Sequence, residues 1–158
     1  MKKITLFASL LAVPFFIAGC GNDSNDSSAQ EDGKTEIKIT WRNTGDHDKM
    51  QKFLEEEFIP NFEKENPDIK VIPASITASE GDYFSKTALS MQSESTAPDI
   101  VAEDSFMLNS DANAGYLTPL DDYVKNWEDW SNYTENLKVG STAQDGKLYA
   151  IPGTSDSR

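Results

Sequence analysis

Strand-like and helix-like segments alternate from residue 35 onward, and this alternation restricts the possible folds more than any other feature. Thr35–Trp41 alternates polar and apolar residues and is rich in β-branched side chains, which predicts a strand. Apolar residues at steps of three and four between residues 46 and 62 predict an amphipathic helix. Asp68–Ile76 reads as a second strand, and residues 79–95 as a second helix. Since such alternation is typical of βαβ units, the sequence predicts an α/β fold with a mostly parallel sheet flanked by helices.

Several single residues predict where the first helix begins, breaks and ends. Asp46 or Asp48 is placed to cap its start, and Asn66-Pro67 follows its end. Pro60 lies inside the apolar pattern, where a proline removes a backbone donor and clashes with the preceding turn. We therefore expect the helix to kink or split near Phe58.

The second half of the chain repeats the pattern with shorter elements. Residues 98–104 predict a third strand, and residues 105–117 a helix that Gly115 ends. Residues 118 to about 137 predict short helices joined by a loop, and Gly146–Gly153 predicts a last strand.

The first 19 residues have the pattern of a secretory signal peptide. Two lysines precede an uncharged apolar run from Ile4 to Ala18, which is too short for a comfortable membrane span and is followed by small residues. Ile17-Ala18-Gly19-Cys20 resembles the lipobox of bacterial lipoproteins, in which the cysteine receives a lipid and becomes the mature N-terminus. The resemblance implies lipidation at Cys20 and a lipid anchor on the extracytoplasmic face of a Gram-positive-type plasma membrane. An ordinary signal peptide with a chance cysteine is the alternative.

The chain after the cysteine divides into two parts. Residues 20–34 contain the cysteine and a run of small, polar and acidic residues that buries too little surface to fold, so we expect a disordered linker. Residues 35–158 are expected to form the folded domain.

Composition and motifs argue against several functions. The chain has 27 acidic and 14 basic residues, a net charge of -13 that disfavours nucleic acid and anionic lipid as partners. The single histidine, His47, lies among acids at a predicted helix start, where a capping or solvated role is favoured over catalysis. The adjacent acid pairs Asp121-Asp122 and Glu128-Asp129 are typical of a solvated helix face rather than of a glycosidase pair. We therefore predict no catalytic residue, no metal site and no cofactor.

Candidate binding residues follow the predicted strands, since ligands of parallel α/β sheets bind beyond the carboxyl ends of the strands. Trp41 is placed either to stack on a sugar face or to pack under the following helix, and Arg42 to donate to hydroxyl groups. Asp104-Ser105 follows the third strand, either as hydroxyl acceptors or as a helix cap, and Glu80 is a weaker candidate after the second strand.

Four stretches, in order along the chain, resemble the extracellular solute-binding proteins of ABC importers, above all the maltose-binding-like branch of family 1. They are DKMQKFLEEEFIPNFEKENPDIKV, TAPDIVAEDS, NAGYLTPLDDY and DGKLYAIPGTSDSR. The resemblance implies the N-terminal lobe of a type II periplasmic-binding-protein-like fold. It also implies a monomeric receptor that captures a carbohydrate and delivers it to ABC permease subunits without chemistry on the ligand.

The resemblance adds two further expectations. Asp156 and Arg158 join the candidate ligand-binding residues, because the last stretch leads them toward the cleft. Family members are longer and have a second lobe, so we interpret this sequence as an incomplete N-terminal lobe. Two other functions stay open: an extracytoplasmic glycan-acting enzyme and a stand-alone lipoprotein interaction module.

Overall fold

The structure is a computed structural model that describes residues 33–45 and 48–153. Within these ranges three parallel strands are followed or connected by helices, in the α/β arrangement that the sequence predicts. The strands are β1 Thr35–Asn43, β2 Ile69–Thr77 and β3 Ile100–Val101. The helices are α1 Lys49–Phe53, α2 Ile59–Glu65, α3 Glu80–Ser90, α4 Ser105–Asn113, α5 Asp121–Val124 and α6 Glu135–Gly140, with a π-helical turn at Leu54–Phe58 and a 3-10 turn at Glu128–Asn132.

The strand order in the described sheet is β2-β1-β3. β1 pairs along its whole length with β2, from Thr35 opposite Ile69 to Asn43 opposite Thr77. β3 pairs with β1 only at Ile39–Ile100 and Thr40–Val101. The connection from β2 to β3 therefore passes β1, and the loops after β1 and β3 leave the sheet at the position where α/β folds bind ligands.

The first helical segment breaks where the sequence predicts it. α1 begins after Asp48, whose side chain accepts a hydrogen bond from the backbone N–H of Gln51, and α2 ends at Glu65, before Asn66. Between them the helix widens into the π-helical turn, just ahead of Pro60 in the first turn of α2. Because Pro60 has no N–H and crowds the turn before it, a wider turn accommodates it without a broken chain direction.

The buried core draws on elements from the whole described region. Its apolar members are Trp41, Leu54, Val71, Tyr83, Leu108, Ala143 and Leu148. The apolar face of the first helical segment is only partly covered, since Leu54 is buried whereas Met50 and Phe53 stay exposed. Phe58 stacks on Phe62 at 5.4 Å between ring centroids, which joins the π-helical turn to α2.

Two predictions on the later elements have different outcomes. α4 does end before Gly115, whose φ of 78° lies in the left-handed region that glycine adopts without a steric cost. The predicted last strand at Gly146–Gly153 is wrong, because Leu148 makes only an isolated antiparallel bridge to Thr142. The carbonyl of Leu148 instead accepts from the backbone N–H of Leu120, so this segment closes loops rather than extending the sheet.

Candidate functional site

The candidate site lies at the carboxyl ends of the three strands. β1 ends at Asn43, β2 at Thr77 and β3 at Val101, and all three strands run in the same direction. The residues that follow them therefore meet at one edge of the sheet, which we call the carboxyl edge. This edge carries four of the seven predicted binding residues just beyond or at the strand ends: Arg42, Glu80, Asp104 and Ser105.

Arg42 and Glu80 form an ion pair across the carboxyl edge. The guanidinium Nη2 of Arg42 lies 3.5 Å from Oε2 of Glu80, and the two side chains are 35% and 56% exposed. Such an exposed pair contributes little to stability, on the order of 0 to 1 kcal/mol. Both groups therefore remain available to a ligand, with donors on Arg42 and acceptors on Glu80.

Trp41 lies under the edge rather than on it. β1 continues two residues past Trp41, and the indole is only 3% exposed, so no face is open for stacking on a sugar. Of the two interpretations that the sequence leaves open, the structure has the packed one. Its buried Nε1 has no hydrogen-bond partner among the described residues, which leaves an unpaired donor beneath the edge.

The loop between β1 and α1 is fixed by its own side chains. Oδ1 of Asn43 accepts from the backbone N–H of Gly45 at 2.8 Å, and Oδ2 of Asp48 accepts from the backbone N–H of Thr44 at 2.9 Å. The backbone N–H groups of Gln51 and then Thr44 lower the pKa of Asp48. The indole of Trp41 adds a smaller lowering of this pKa, although the two side chains do not meet at full hydrogen-bonding geometry.

Asp104 and Ser105 lie at the start of α4. Asp104 is the N-cap, and its Oδ1 accepts from the backbone N–H of Phe106 at 3.4 Å. The hydroxyl of Ser105 lies 3.4 Å from the same oxygen, and both residues are exposed. These distances are long, so the cap leaves most of the acceptor capacity of Asp104 free for another donor.

Tyr83 connects α3 to the loop that carries these acids. Its hydroxyl donates to the carbonyl of Ala102 at 2.6 Å, and the side chain is 2% exposed. Burial raises the pKa of Tyr83, and the charge of Glu103 raises it further whereas that of Arg42 opposes the shift. The phenol therefore lies within electrostatic reach of acids and bases from both neighbouring loops.

A pair of acids that the sequence analysis did not select lies beside Asp104. Glu103 is half-buried, and Asp111 on α4 is 2% exposed. Burial, followed by a hydrogen bond to Asp111 and the charge of Asp111, raises the pKa of Glu103 to about 8. The eight-residue separation gives no recognisable sequence signal, because a strand end and a helix interior have different periods.

The remaining predicted residues fall outside the described ranges. Asp156, Arg158, Cys20, the signal peptide and His47 belong to this group, and they stay predictions. In residues 33–45 and 48–153, no group of three or more His, Cys, Asp or Glu is placed to hold a metal ion. The same ranges contain no helix with the length and apolar character needed to cross a membrane.

Two shallow cavities border Trp127 and share no lining residue with the carboxyl edge. One of about 440 Å³ is lined by polar residues around Lys125 and Glu128, and one of about 230 Å³ by apolar residues from Leu120 to Ile151. Trp127 also packs against Trp130 and Tyr133, at 6.3 and 5.8 Å between ring centroids. The aromatic group thus joins the two turns after α5 to each other.

A three-stranded parallel sheet with its acids and one arginine at the carboxyl edge is the architecture of an N-terminal lobe of the type II periplasmic-binding-protein-like class. The sequence matches the family described as bacterial extracellular solute-binding protein over residues 44–157. The chain belongs to this family, and the resemblance found in the sequence is thereby confirmed. The family is one of solute-binding proteins rather than of enzymes.

Solved structures of sugar-binding members are similar to this chain. The ABC substrate-binding protein Lmo0181 from Listeria monocytogenes, in complex with cycloalternan, is 28% identical with a TM-score of 0.58. A solute-binding protein from Agrobacterium vitis with bound D-mannitol is 26% identical with a TM-score of 0.59. The GacH receptor of Streptomyces glaucescens, solved unliganded and with acarbose, is 24% identical with a TM-score of 0.59 and supports the fold alone.

These likenesses cover most of this chain but a minor part of the other proteins. The three structures are matched over 73%, 75% and 75% of this chain, and over 28%, 27% and 29% of their own chains. The chain thus spans less than a third of the length of these relatives. None of the curated proteins compared matches its sequence.

Proposed function

We propose that this chain is the carbohydrate-capturing part of a substrate-binding lipoprotein that serves an ABC importer. The observation that carries the proposal is the family match over residues 44–157, joined to the likeness with a cycloalternan-bound protein at 28% identity. The carboxyl edge supports it chemically. Arg42 offers charge-assisted donors, and Glu80, Asp104 and Glu103 offer carboxyl groups, which together suit the hydroxyl groups of a sugar.

The binding mode follows from which side chains are reachable. Arg42 and Glu80 are partly exposed at the edge, whereas Trp41 is buried and acts as the floor beneath them. The proposed ligand-binding set is therefore Arg42, Glu80, Asp104 and Ser105 with Glu103 added, and Asp156 and Arg158 are retained as proposed members. A ligand held on one open edge keeps much of its hydration, so we expect weak binding by this chain alone.

Sugar binding is tested with NMR titrations of the purified chain, using mannotriose, lacto-N-biose, cycloalternan and D-mannitol as probes. We expect at least one probe to shift amide resonances at the ends of β1 and β3. Arg42→Ala should weaken that binding about tenfold, since it removes a charge-assisted donor of roughly 1.4 kcal/mol.

Lys52→Ala is the matched control for the arginine variant. Lys52 pairs with Glu56 at 3.8 Å on the exposed face of the first helical segment, so its removal should leave sugar binding unchanged. Absence of binding by every probe, or equal loss in both variants, would contradict carbohydrate capture at this edge.

Membrane attachment is the second part of the proposal, and Cys20 carries it. We propose that Cys20 is lipidated and anchors the chain at the extracytoplasmic face of the plasma membrane, with residues 20–34 as a linker to the domain that begins at residue 35. The ABC permease subunits would then be the membrane partners of a monomeric receptor.

The anchor is tested by expression in a Gram-positive host with radiolabelled palmitate. We expect the full chain to incorporate label and to sediment with membranes, and Cys20→Ser to abolish both, because a lipid thioether needs the cysteine sulfur. Label retained by the serine variant would contradict lipidation at this position.

A further inference from the structure

The buried carboxylate of Asp111 poses a question that its surroundings answer. The residue is 2% exposed, yet its Oδ2 accepts no hydrogen bond from any described residue. An ionised carboxylate oxygen without a donor in such a place is costly, on the order of 1 to 3 kcal/mol or more. A proton supplied by a neighbouring acid removes that cost.

Glu103 is the neighbour in the right place. It stands one residue before the N-cap of α4, and Asp111 lies on the same helix, close enough for a hydrogen bond between the two carboxyl groups. Two acids that meet in this way share one proton, because both cannot ionise at short range. With burial as the larger cause, the pKa of Glu103 rises to about 8, which agrees with a proton held between the pair near neutral pH.

We propose that Asp111 is a positioning residue that keeps Glu103 protonated, so that Glu103 can donate as well as accept hydrogen bonds at the sugar-binding edge. This inference rests on the proposed sugar-binding function and names a determinant within the same site. Glu103 is half-buried, so part of its carboxyl group is reachable from the solvent side. A neutral carboxyl group suits a ligand with acceptor oxygens, whereas the carboxylate can only accept.

Groups on all the neighbouring elements affect this proton. Asp111 on α4 favours the protonated form of Glu103, and Asp104 is its exposed neighbour in the chain. Tyr83 on α3 interacts electrostatically with Glu103 and with Arg42 of β1, which in turn pairs with Glu80. The one cation in this set is engaged by Glu80, so it does not neutralise the acid pair.

The first test measures the proton itself and needs no ligand. Carboxyl carbon NMR of the chain, labelled at glutamate, should show Glu103 titrating near pH 8 in the wild type. In Asp111→Asn the midpoint should fall by about one pH unit or more, since the asparagine carries no charge to repel the Glu103 carboxylate. A wild-type midpoint near pH 4.5, the ordinary value for glutamate, would overturn the proposal even if the asparagine variant fails to fold.

The second test connects the proton to sugar binding. Affinity for a probe that binds in the panel above should fall about tenfold between about pH 6.5 and about pH 9.5, as Glu103 loses its donor. Glu103→Gln imitates the neutral form, because its amide also donates and accepts, and should bind equally at both pH values. A wild type that binds equally at both values would overturn the role of the proton in binding.

The two tests separate the inference from the function on which it rests. If no probe binds at any pH, the proposed sugar-binding function fails, and with it the donor role of Glu103. The NMR midpoint still decides whether Asp111 holds the proton.

Discussion

At the scale of single residues, the carboxyl edge depends on a few side chains that join neighbouring loops. Arg42 reaches from β1 to Glu80, and Tyr83 reaches from α3 to the carbonyl of Ala102. Phe84 adds an edge-to-face contact with Phe106 at 5.0 Å between ring centroids, which joins α3 to α4. These contacts position the loop that carries Glu103 and Asp104.

The hydroxyl of Tyr83 provides a residue-scale prediction. Tyr83→Phe keeps the buried ring but removes the hydrogen bond to Ala102, so we expect the free energy of unfolding to fall by about 1 kcal/mol. Urea denaturation followed by circular dichroism measures the change.

Tyr123→Phe is the control for this prediction, because the ring of Tyr123 is 73% exposed. Its unfolding midpoint should stay at the wild-type value. Equal midpoints for all three proteins would show that the bond between Tyr83 and Ala102 contributes nothing to stability.

At the scale of elements, the first helical segment shows how one sequence signal acts locally and another needs its surroundings. Pro60 and Asp48 act on the backbone within a turn of themselves, so the break and the start of the segment lie where the sequence predicts them. The last predicted strand failed because a strand needs a partner. Leu148 bonds to Thr142 and Leu120, which leaves it no place in the sheet.

The cap at Asp48 provides an element-scale prediction with a defined pH dependence. Asp48→Ala should lower the free energy of unfolding by about 1 kcal/mol near pH 7. The pKa of Asp48 is lowered in the folded state, so its carboxylate stabilises the fold above the unfolded pKa, and this contribution is lost as pH falls through the folded pKa. Thermal unfolding at about pH 7 and about pH 3 should therefore show a larger difference from the wild type at the higher pH.

Asp48→Asn separates the cap from its charge. Asparagine caps helices about as well as aspartate, so this variant should lose only the charge-dependent part and keep most of the stability. A loss as large as that of the alanine variant, with no dependence on pH, would contradict a capping role for the side chain.

At the scale of the whole molecule, the acidic surface and the sheet edge give the chain its character. The net charge of -13 disfavours polyanionic partners, and the acids at the carboxyl edge are held by contacts between loops rather than by a metal or a catalytic group in the described residues. A neutral sugar is the class of ligand that such an edge accepts without a charge penalty. The family match agrees with this interpretation at a level that charge alone does not reach.

The sequence by itself determined the order of strands and helices, the break before Pro60, the cap at Asp48, the end of α4 before Gly115 and the family of the chain. Each of these depends on local chemistry or on a pattern read along the chain. Tertiary structure alone decided that Trp41 is buried, that Arg42 pairs with Glu80 and that Glu103 meets Asp111. The physical reason is that burial and pairing depend on which residues the fold brings together, and the local periods of strands and helices do not encode those meetings.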